Sequence, residues 1–384
     1  MSVFINHSSL AKGWKRYQIM HKNRRVASIR EDGSCTIYFP AFMPYNLYLE
    51  RAEDGDVDTR VNNLTNFYYW CASRVLTLDR TYVKQILNSI GAAQATTDRE
   101  RAMIAISYHG ICLTDVYWIK TDGENLRYED ISLYRHSLSG AFADVSLRGH
   151  QLTAQNAELL KPNDIAGDVA TQGVAPKAWI RENGEFYLLK DGDLRDVKAE
   201  LLASRLASCF DMEYVPYEAA EYAGTQVSRS RLITSEERGI VPMEYVDIYC
   251  LNHNLDRNAL IKRTSEKAYC MMNLFDYLIG NSDRHGANWG FWVNHQTNRL
   301  TCLYPLMDFN KAFTAYSSLD GGLCLTVDSV SISQREAAET AVRCVGLNMI
   351  SEPDPAWFDN PQQREMFFKR LEVCRKVLAK RKTE

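Results

Sequence analysis

Residues 280–288 read Gly-Asn-Ser-Asp-Arg-His-Gly-Ala-Asn, and Asp308 follows twenty positions after Asn288 inside Met-Asp-Phe-Asn. Both stretches are polar and both are enclosed by apolar sequence. A helical pattern through Leu260, Ile261, Met272, Leu274 and Phe275 runs up to Gly280, and Trp289-Gly-Phe-Trp-Val reads as a buried strand. Its hairpin partner is Leu300 to Leu303, around Thr297-Asn298, and Asp308 comes directly after Leu303-Tyr-Pro-Leu-Met. A carboxylate set at the end of such a strand is expensive to bury without a cation or hydrogen bonds. Any fold of this chain must therefore find partners for Asp283, Asn288 and Asp308 between apolar elements.

Those residue types suit one chemistry. Phosphoryl transfer needs a carboxylate beside the attacking hydroxyl, and an amide and a second carboxylate to hold magnesium on the phosphates. Asp283, Asn288 and Asp308 come in that order. The five-residue step from Asp283 to Asn288 lets a tight loop bring both side chains to one side. Magnesium takes hard oxygen ligands and few protein groups, which fits Asn288 and Asp308 as the metal pair. Arg284 and His285 are expected to fix the loop through hydrogen bonds to backbone carbonyls.

Further upstream, Lys190 ends the strand Glu185-Phe-Tyr-Leu-Leu-Lys, where an ammonium can meet the phosphates of ATP. Glu200, ten residues on and helical, is placed to hold it as an ion pair. Lys177 is a rival for the lysine role. The loop Thr171-Gln-Gly-Val-Ala-Pro-Lys could cover phosphates with backbone amides, but with Gly173 alone it is neither a Walker loop nor a G-x-G-x-x-G loop.

Composition narrows the alternatives. At 384 residues the chain is long enough for two or three domains. A net charge of −3 gives no electrostatic case for nucleic acid or a membrane surface. Ten cysteines are scattered without C-x-x-C or zinc spacing, as expected of free thiols in a reducing cytoplasm. No signal peptide and no apolar run of membrane-crossing length is evident. There is no H-E-x-x-H and no G-x-S-x-G.

The pattern along the chain predicts strands over 17–39, helices over 63–75 and from Asp79 to near Ile90, and a third from Thr97 or Asp98 to Gly110. Val116-Tyr-Trp-Ile is extended, and a domain boundary is placed near 150–165. Strands at Ala178 and Glu185 flank the turn Asn183-Gly184, a helix covers Ala199 to Phe210, and Val215-Pro-Tyr-Glu opens more strand. A closing helix starts at Asn360-Pro361, with Phe367, Phe368, Leu371 and Val377 as its buried face.

Taken together these segments resemble the HipA-like serine/threonine kinases, which are distantly similar to the phosphatidylinositol-kinase fold. The resemblance runs from about Thr171 to Asp308 and rests on Gly173-Val-Ala-Pro-Lys177, Tyr187-Leu-Leu-Lys190, Glu200-Leu-Leu-Ala-Ser, Val215-Pro-Tyr-Glu, Gly280–Asn288 and Tyr304-Pro-Leu-Met-Asp308. It implies an α+β, two-lobed protein-kinase-like fold: a mixed α/β domain over 1–160, an N-lobe over 161–235 and a mainly helical C-lobe over 236–384. It implies ATP and Mg2+ as cofactors, Asp283 as the catalytic aspartate with Asn288 and Lys190 beside it, and Asn288 and Asp308 on the metal. Glu200, Gly173, Lys177 and Lys190 would serve the nucleotide phosphates. The backbone of Leu232 and Ile233, where a hinge should lie, would meet adenine.

The resemblance further implies a protein substrate, autophosphorylation with Thr171 as the candidate, and a cognate antitoxin or regulator as partner. Residues 1–150 do not evidently match the amino-terminal domain of the toxin members. The expectation is an ATP- and Mg-dependent serine/threonine protein kinase with no membrane and no direct nucleic-acid partner. Three rivals stand beside it: a nucleotide-binding pseudokinase acting as an interaction module, a kinase for a small-molecule or lipid hydroxyl, and a DNA-binding helical role for residues 60–110.

Overall fold

Alternating apolar residues in the first forty positions build an antiparallel sheet. Strands β1 (Arg16–His21), β2 (Arg24–Arg30), β3 (Cys35–Ile37) and β4 (Tyr117–Thr121) pair in the order β3-β2-β1-β4. The computed structural model describes residues 14–89, 97–136, 138, 140–149, 174–327 and 331–381. They form an α+β fold whose chain divides into two compact units. The first spans Met1–Arg181, Thr234–Gly239 and Asn294–Arg299; the second spans Glu182–Ile233, Ile240–Val293 and Leu300–Glu384. The line that compactness draws is at 181/182, and residues 182–233 share one unit with the helices that follow. Among the described residues no helix is long and apolar enough to cross a membrane.

In the first unit, Ile19, Val26, Ala27, Ile29 and Ile119 of the sheet form one core with Phe67, Trp70 and Cys71 of α1 (Val57–Ala72). That helix starts six residues before the expected Asn63. Asp56 caps it, its carboxylate accepting from the Thr59 N–H at 3.0 Å. Helix α2 (Val83–Ser89) starts later than Asp79 suggested. Tyr82 stands at φ +63°, so helical backbone cannot extend back through it. Thr97 opens α3 (Asp98–Ser107) with a full capping box to Glu100. Two short helices, α4 (Tyr128–Ile131) and α5 (Gly140–Arg148), and strand β5 (Lys177–Glu182) follow.

A buried asparagine joins distant parts of this unit. Asn298 donates from Nδ2 to the carbonyls of Ala41 and Met43, accepts at Oδ1 from the Tyr117 hydroxyl, and accepts at its own carbonyl from Tyr45. Its φ of +52° suits a left-handed turn residue.

The second unit begins with β6 (Glu185–Lys190), helix α6 (Leu194–Ala207), β7 (Glu218–Tyr222) and β8 (Thr225–Arg231). The strands pair antiparallel in the order β6-β8-β7, with Lys190 opposite Ser228. Helix α6 starts at Leu194 because Asp193 caps it, accepting from the Arg195 N–H. Strand β7 starts after Tyr217. Val215 gives its N–H to the Leu306 carbonyl instead of to a sheet, and Pro216 has none to give.

Strands β9 (Arg238–Pro242), β10 (Gly290–Asn294) and β11 (Arg299–Leu303) form a second sheet, in the order β11-β10-β9. Helices α7 (Met243–His253), α8 (Arg257–Ile279), α9 (Gln334–Val345) and α10 (Pro361–Arg381) complete the unit, α8 packing on both α9 and α10. Helix α8 is interrupted at Ser265 and ends at Gly280, φ +58°. A Cβ at Gly280 would fall 2.4 Å from the Tyr316 ring, so glycine is required there on two counts. The buried face of α10 differs from the apolar expectation. Phe367 and Leu371 are buried, but Arg370 is too, donating to the carbonyls of Tyr277, Ala315 and Ser318. Phe368 and Val377 stay half-buried.

In the first unit His21 and His295 stack edge to face with centroids 6.0 Å apart, and the Nε2 of each is buried without a hydrogen-bond partner among the described residues. Burial, then the His295 ring, pushes His21 from 6.5 down to about 3, and burial also lowers His295. Below its ordinary value the unfolded imidazole binds a proton that the folded one refuses. Stability must therefore fall as pH drops from about 6.5 toward 3. Urea unfolding should show this loss in the native sequence, and His21→Phe should flatten it. Identical pH slopes for the two proteins between about pH 6.5 and 5 would refute the assignment.

Candidate functional site

Lys190 is the last residue of β6, and the register with β8 puts it across from Ser228. Two buried groups converge there. Lys190 Nζ donates to Glu200 Oε1 at 2.8 Å, and the Ser228 hydroxyl donates to the other oxygen, Oε2. Glu200 is 1% exposed on the inner face of α6. A carboxylate so enclosed is costly unless both oxygens are hydrogen-bonded, which this arrangement provides.

The same ammonium donates to Asp308 Oδ1 at 2.9 Å and lies 5.1 Å from the centre of the Tyr217 ring. Burial lowers the Lys190 pKa, but the carboxylates of Asp308 and Glu200 outweigh it and hold the ammonium well above the ordinary lysine range. Asp308 sits at φ +62°, a left-handed conformation costing about 1–2 kcal/mol for a residue with a Cβ. Its N–H donates to the Tyr217 hydroxyl at 3.2 Å, which with the Lys190 pair holds it there. Tyr217 is a residue that sequence reasoning missed. Its position directly after Val215-Pro216 in the quoted motif was the available signal.

The second group of residues is the loop 280–288. Asp283 has a half-exposed carboxylate whose Oδ1 is 3.9 Å from His285 Nε2, and its N–H donates to Asn281 Oδ1. Asn288 Nδ2 donates to the Asp283 carbonyl at 2.7 Å. The amide NH2 thus faces the loop itself, and the oxygen is the atom of the side chain that can meet a cation.

Arg284 ties the two groups together. Its guanidinium is 3% exposed and forks onto Asp276 (Nε to Oδ2 2.8 Å, NH2 to Oδ1 3.0 Å). The third nitrogen donates to the carbonyls of Asn288 at 3.0 Å and Met307 at 2.6 Å. One side chain therefore fixes the backbone beside Asn288 and the backbone just before Asp308. This is the carbonyl-bonding role expected of Arg284. His285 differs: its Nδ1 accepts from the Ala287 N–H, because the loop turns its own amide toward the ring. Asp276 carries no signal in the sequence beyond a carboxylate on an apolar helix. Burial lowers the Arg284 pKa, but Asp276 outweighs it and leaves the guanidinium above its ordinary range.

Lys190 is thus in direct contact with both Glu200 and Asp308, and Arg284 ties the loop that carries Asp283 and Asn288 to the backbone just before Asp308. Lys177 belongs to the first unit, where its carbonyl accepts from Arg80. Leu232 spends its N–H on the Phe186 carbonyl at 2.9 Å, so a nucleobase at 232–233 would meet other backbone groups. Gly173 and Thr171 lie outside the described residues. No group of three His, Cys, Asp or Glu side chains converges among the described residues. The donors on offer, one carboxylate and one amide oxygen, fit magnesium, which keeps water and phosphate oxygens as its other ligands.

No protein-family model matches this chain, and no curated protein matches it. Solved structures do. A chain of the Shewanella oneidensis MR-1 toxin–antitoxin complex of HipA, HipB and operator DNA matches with TM-score 0.53 and 12% identity, covering 95% of this chain and 90% of that one. The Helicobacter pylori proinflammatory kinase CtkA matches with TM-score 0.42 and 14% identity, covering 54% of this chain and 91% of that one. The first likeness shows a HipA-like α+β fold across almost the whole chain.

The buried Arg284–Asp276 pair generates a stability prediction. Asp276→Ala leaves a buried guanidinium unpaired and should cost about 3–5 kcal/mol in urea unfolding. Asp283→Ala removes a half-exposed carboxylate and should change stability by no more than about 0.5 kcal/mol. Equal losses in the two variants would mean that Arg284 is not what holds the loop.

Proposed function

We propose that the second unit transfers the γ-phosphoryl group of ATP to a serine or threonine hydroxyl of a protein. The observation that carries this reading is Lys190 Nζ, held 2.8 Å from Glu200 and 2.9 Å from Asp308, with Asp283 and Asn288 on a loop fixed by Arg284 to the backbone just before Asp308. It is supported by the HipA-like fold and by the order of the residues along the chain.

Each side chain then has a role that its surroundings allow. Lys190, always charged and anchored by Glu200, positions phosphate oxygens. Asp283, half-exposed, orients the acceptor hydroxyl and takes its proton late. Asp308 and the Asn288 amide oxygen would hold Mg2+, which neutralises charge building on the phosphate oxygens. For that Asp308 must share or release its contact with Lys190, and its left-handed backbone keeps the carboxylate aimed at the site meanwhile. Arg284, Asp276 and Tyr217 position and do not react.

Autophosphorylation, with Thr171 as candidate, and a cognate antitoxin-like regulator belong to the same proposal. The regulator is suggested by the HipB that accompanies the Shewanella chain. All ten cysteines are free, which supports a reducing compartment, the cytoplasm.

The direct Lys190–Asp308 pair favours one second reading. If it stays closed on the nucleotide, the chain is an ATP-binding module without transfer.

Incubation with Mg2+ and γ-labelled ATP, followed by mass spectrometry, tests both. Label should appear on the chain or on a generic protein substrate and vanish in Asp283→Asn; equal incorporation in the two proteins would sink the catalytic assignment. Asp308→Asn and Lys190→Met should each lower turnover by about 10²–10³-fold, as loss of a transition-state charge contact does. Thermal stabilisation by Mg·ATP should survive in Asp283→Asn and be lost in Asp308→Asn. Stabilisation of the native sequence without any transfer would establish the second reading.

A further inference from the structure

Helix α8 becomes fully buried at Cys270, the first of an unbroken buried run that ends at Ile279. Helix α9 packs against it and buries Ala337, Ala338, Ala341 and Val342. Cys344 stands one helical turn past Ala341, at the end of that stripe, and is exposed. The two side chains meet there: the thiols of Cys270 and Cys344 share a hydrogen bond. Asn348 pins the same spot independently. Its Nδ2 donates to Met271 Sδ at 3.2 Å and to the Val345 carbonyl at 3.0 Å, so it holds the residue that follows each cysteine.

We propose that Cys270 and Cys344 are a reversible disulfide site, with a hydroperoxide as the oxidant and Cys344 as the sulfur that meets it. The other partly exposed thiols have different company: Cys35 donates to the Glu50 carbonyl, Cys112 bonds with Thr114 and Cys324 with Thr326. Burial, then the Cys344 thiol, pushes Cys270 up to about 12, so Cys270 stays a thiol while its exposed neighbour reacts. The Cys344 sulfur attacks one oxygen of hydrogen peroxide, the O–O bond breaks, and a sulfenic acid and water result. The Cys270 sulfur then displaces the sulfenic oxygen, which leaves as a second water with the Cys270 proton. Two thiols have lost two electrons, and one peroxide has gained them. A bond of this kind in a reducing compartment is transient and serves as a redox signal.

The bond would close residues 270–344 into one covalent ring. That ring contains Asp276, Asp283, Arg284, Asn288 and Asp308. A cross-link removes freedom from the unfolded chain, and this one ties α8 to α9 where they already touch.

The test uses the full chain, reduced and then freed of reductant, and reads chemistry independent of phosphoryl transfer. After brief native exposure to hydrogen peroxide, the remaining thiols are alkylated in denaturant and the chain is digested with trypsin. Mass spectrometry should find peptide 268–284 joined to peptide 344–364, and dithiothreitol should separate them. Cys344→Ser should abolish the link; the residue is exposed, so folding is not at stake. Cys302→Ser should leave the link unchanged, although Cys302 is exposed as well. In urea the oxidised chain should unfold at a higher midpoint than the reduced one. Cys344 recovered as a sulfinic acid beside an alkylated Cys270, or joined to any sulfur other than Cys270, would overturn the proposal. So would a lower urea midpoint in the oxidised chain, since the fold would then resist the bond.

Discussion

The second unit is organised around one buried cation. Arg284 sits 3% exposed on a loop that follows a long apolar helix. A guanidinium there is tolerable only if it is paired and hydrogen-bonded. Asp276 takes two of its nitrogens and the carbonyls of Asn288 and Met307 take the third. Because Asp276 lies on α8, the pair also fixes the loop to the helix that ends at Gly280. The segment 280–288 and the backbone leading into Asp308 are therefore one object held by one side chain. The placement of Asn288 and Asp308 thus follows from how Arg284 is satisfied.

A second ion cluster faces this one from β6 and α6. Lys190 is shared between Glu200 and Asp308, and Ser228 completes Glu200 from the opposing strand. The cluster is economical because each member satisfies another: the lysine donates to two carboxylates, and they keep it protonated despite burial. Such a set is stable while complete and costly when one member is lost.

Much of this was legible in the residue order. The Asn183-Gly184 turn, with both residues at positive φ, marks a hairpin on sight, and the Gly280 stop of α8 does the same for a helix end. The lysine–glutamate pair could be expected because a strand end and a helix ten residues on are local neighbours. Element starts were harder. Helix α1 begins at Val57 and α6 at Leu194 because Asp56 and Asp193 cap them, ahead of where the apolar periodicity begins. Helix α10 buries Arg370 on a face that apolar spacing assigned to phenylalanine and valine. Its three carbonyl partners come from residues 277, 315 and 318, which no local pattern can announce.

The chain's order alone determined which chemical groups are present, their sequence along the backbone and the periodicities that make strands and helices; these depend on neighbours a few positions apart. Tertiary structure decided which of them share a charge. Asp308 meets Lys190 across 118 positions, Tyr217 reaches the backbone of Asp308, and Arg284 chooses Asp276 and Met307 as partners. The physical reason is burial. Once a charged group leaves water it must be paired, and the partner available is whichever group the packing of distant elements brings within about 3 Å.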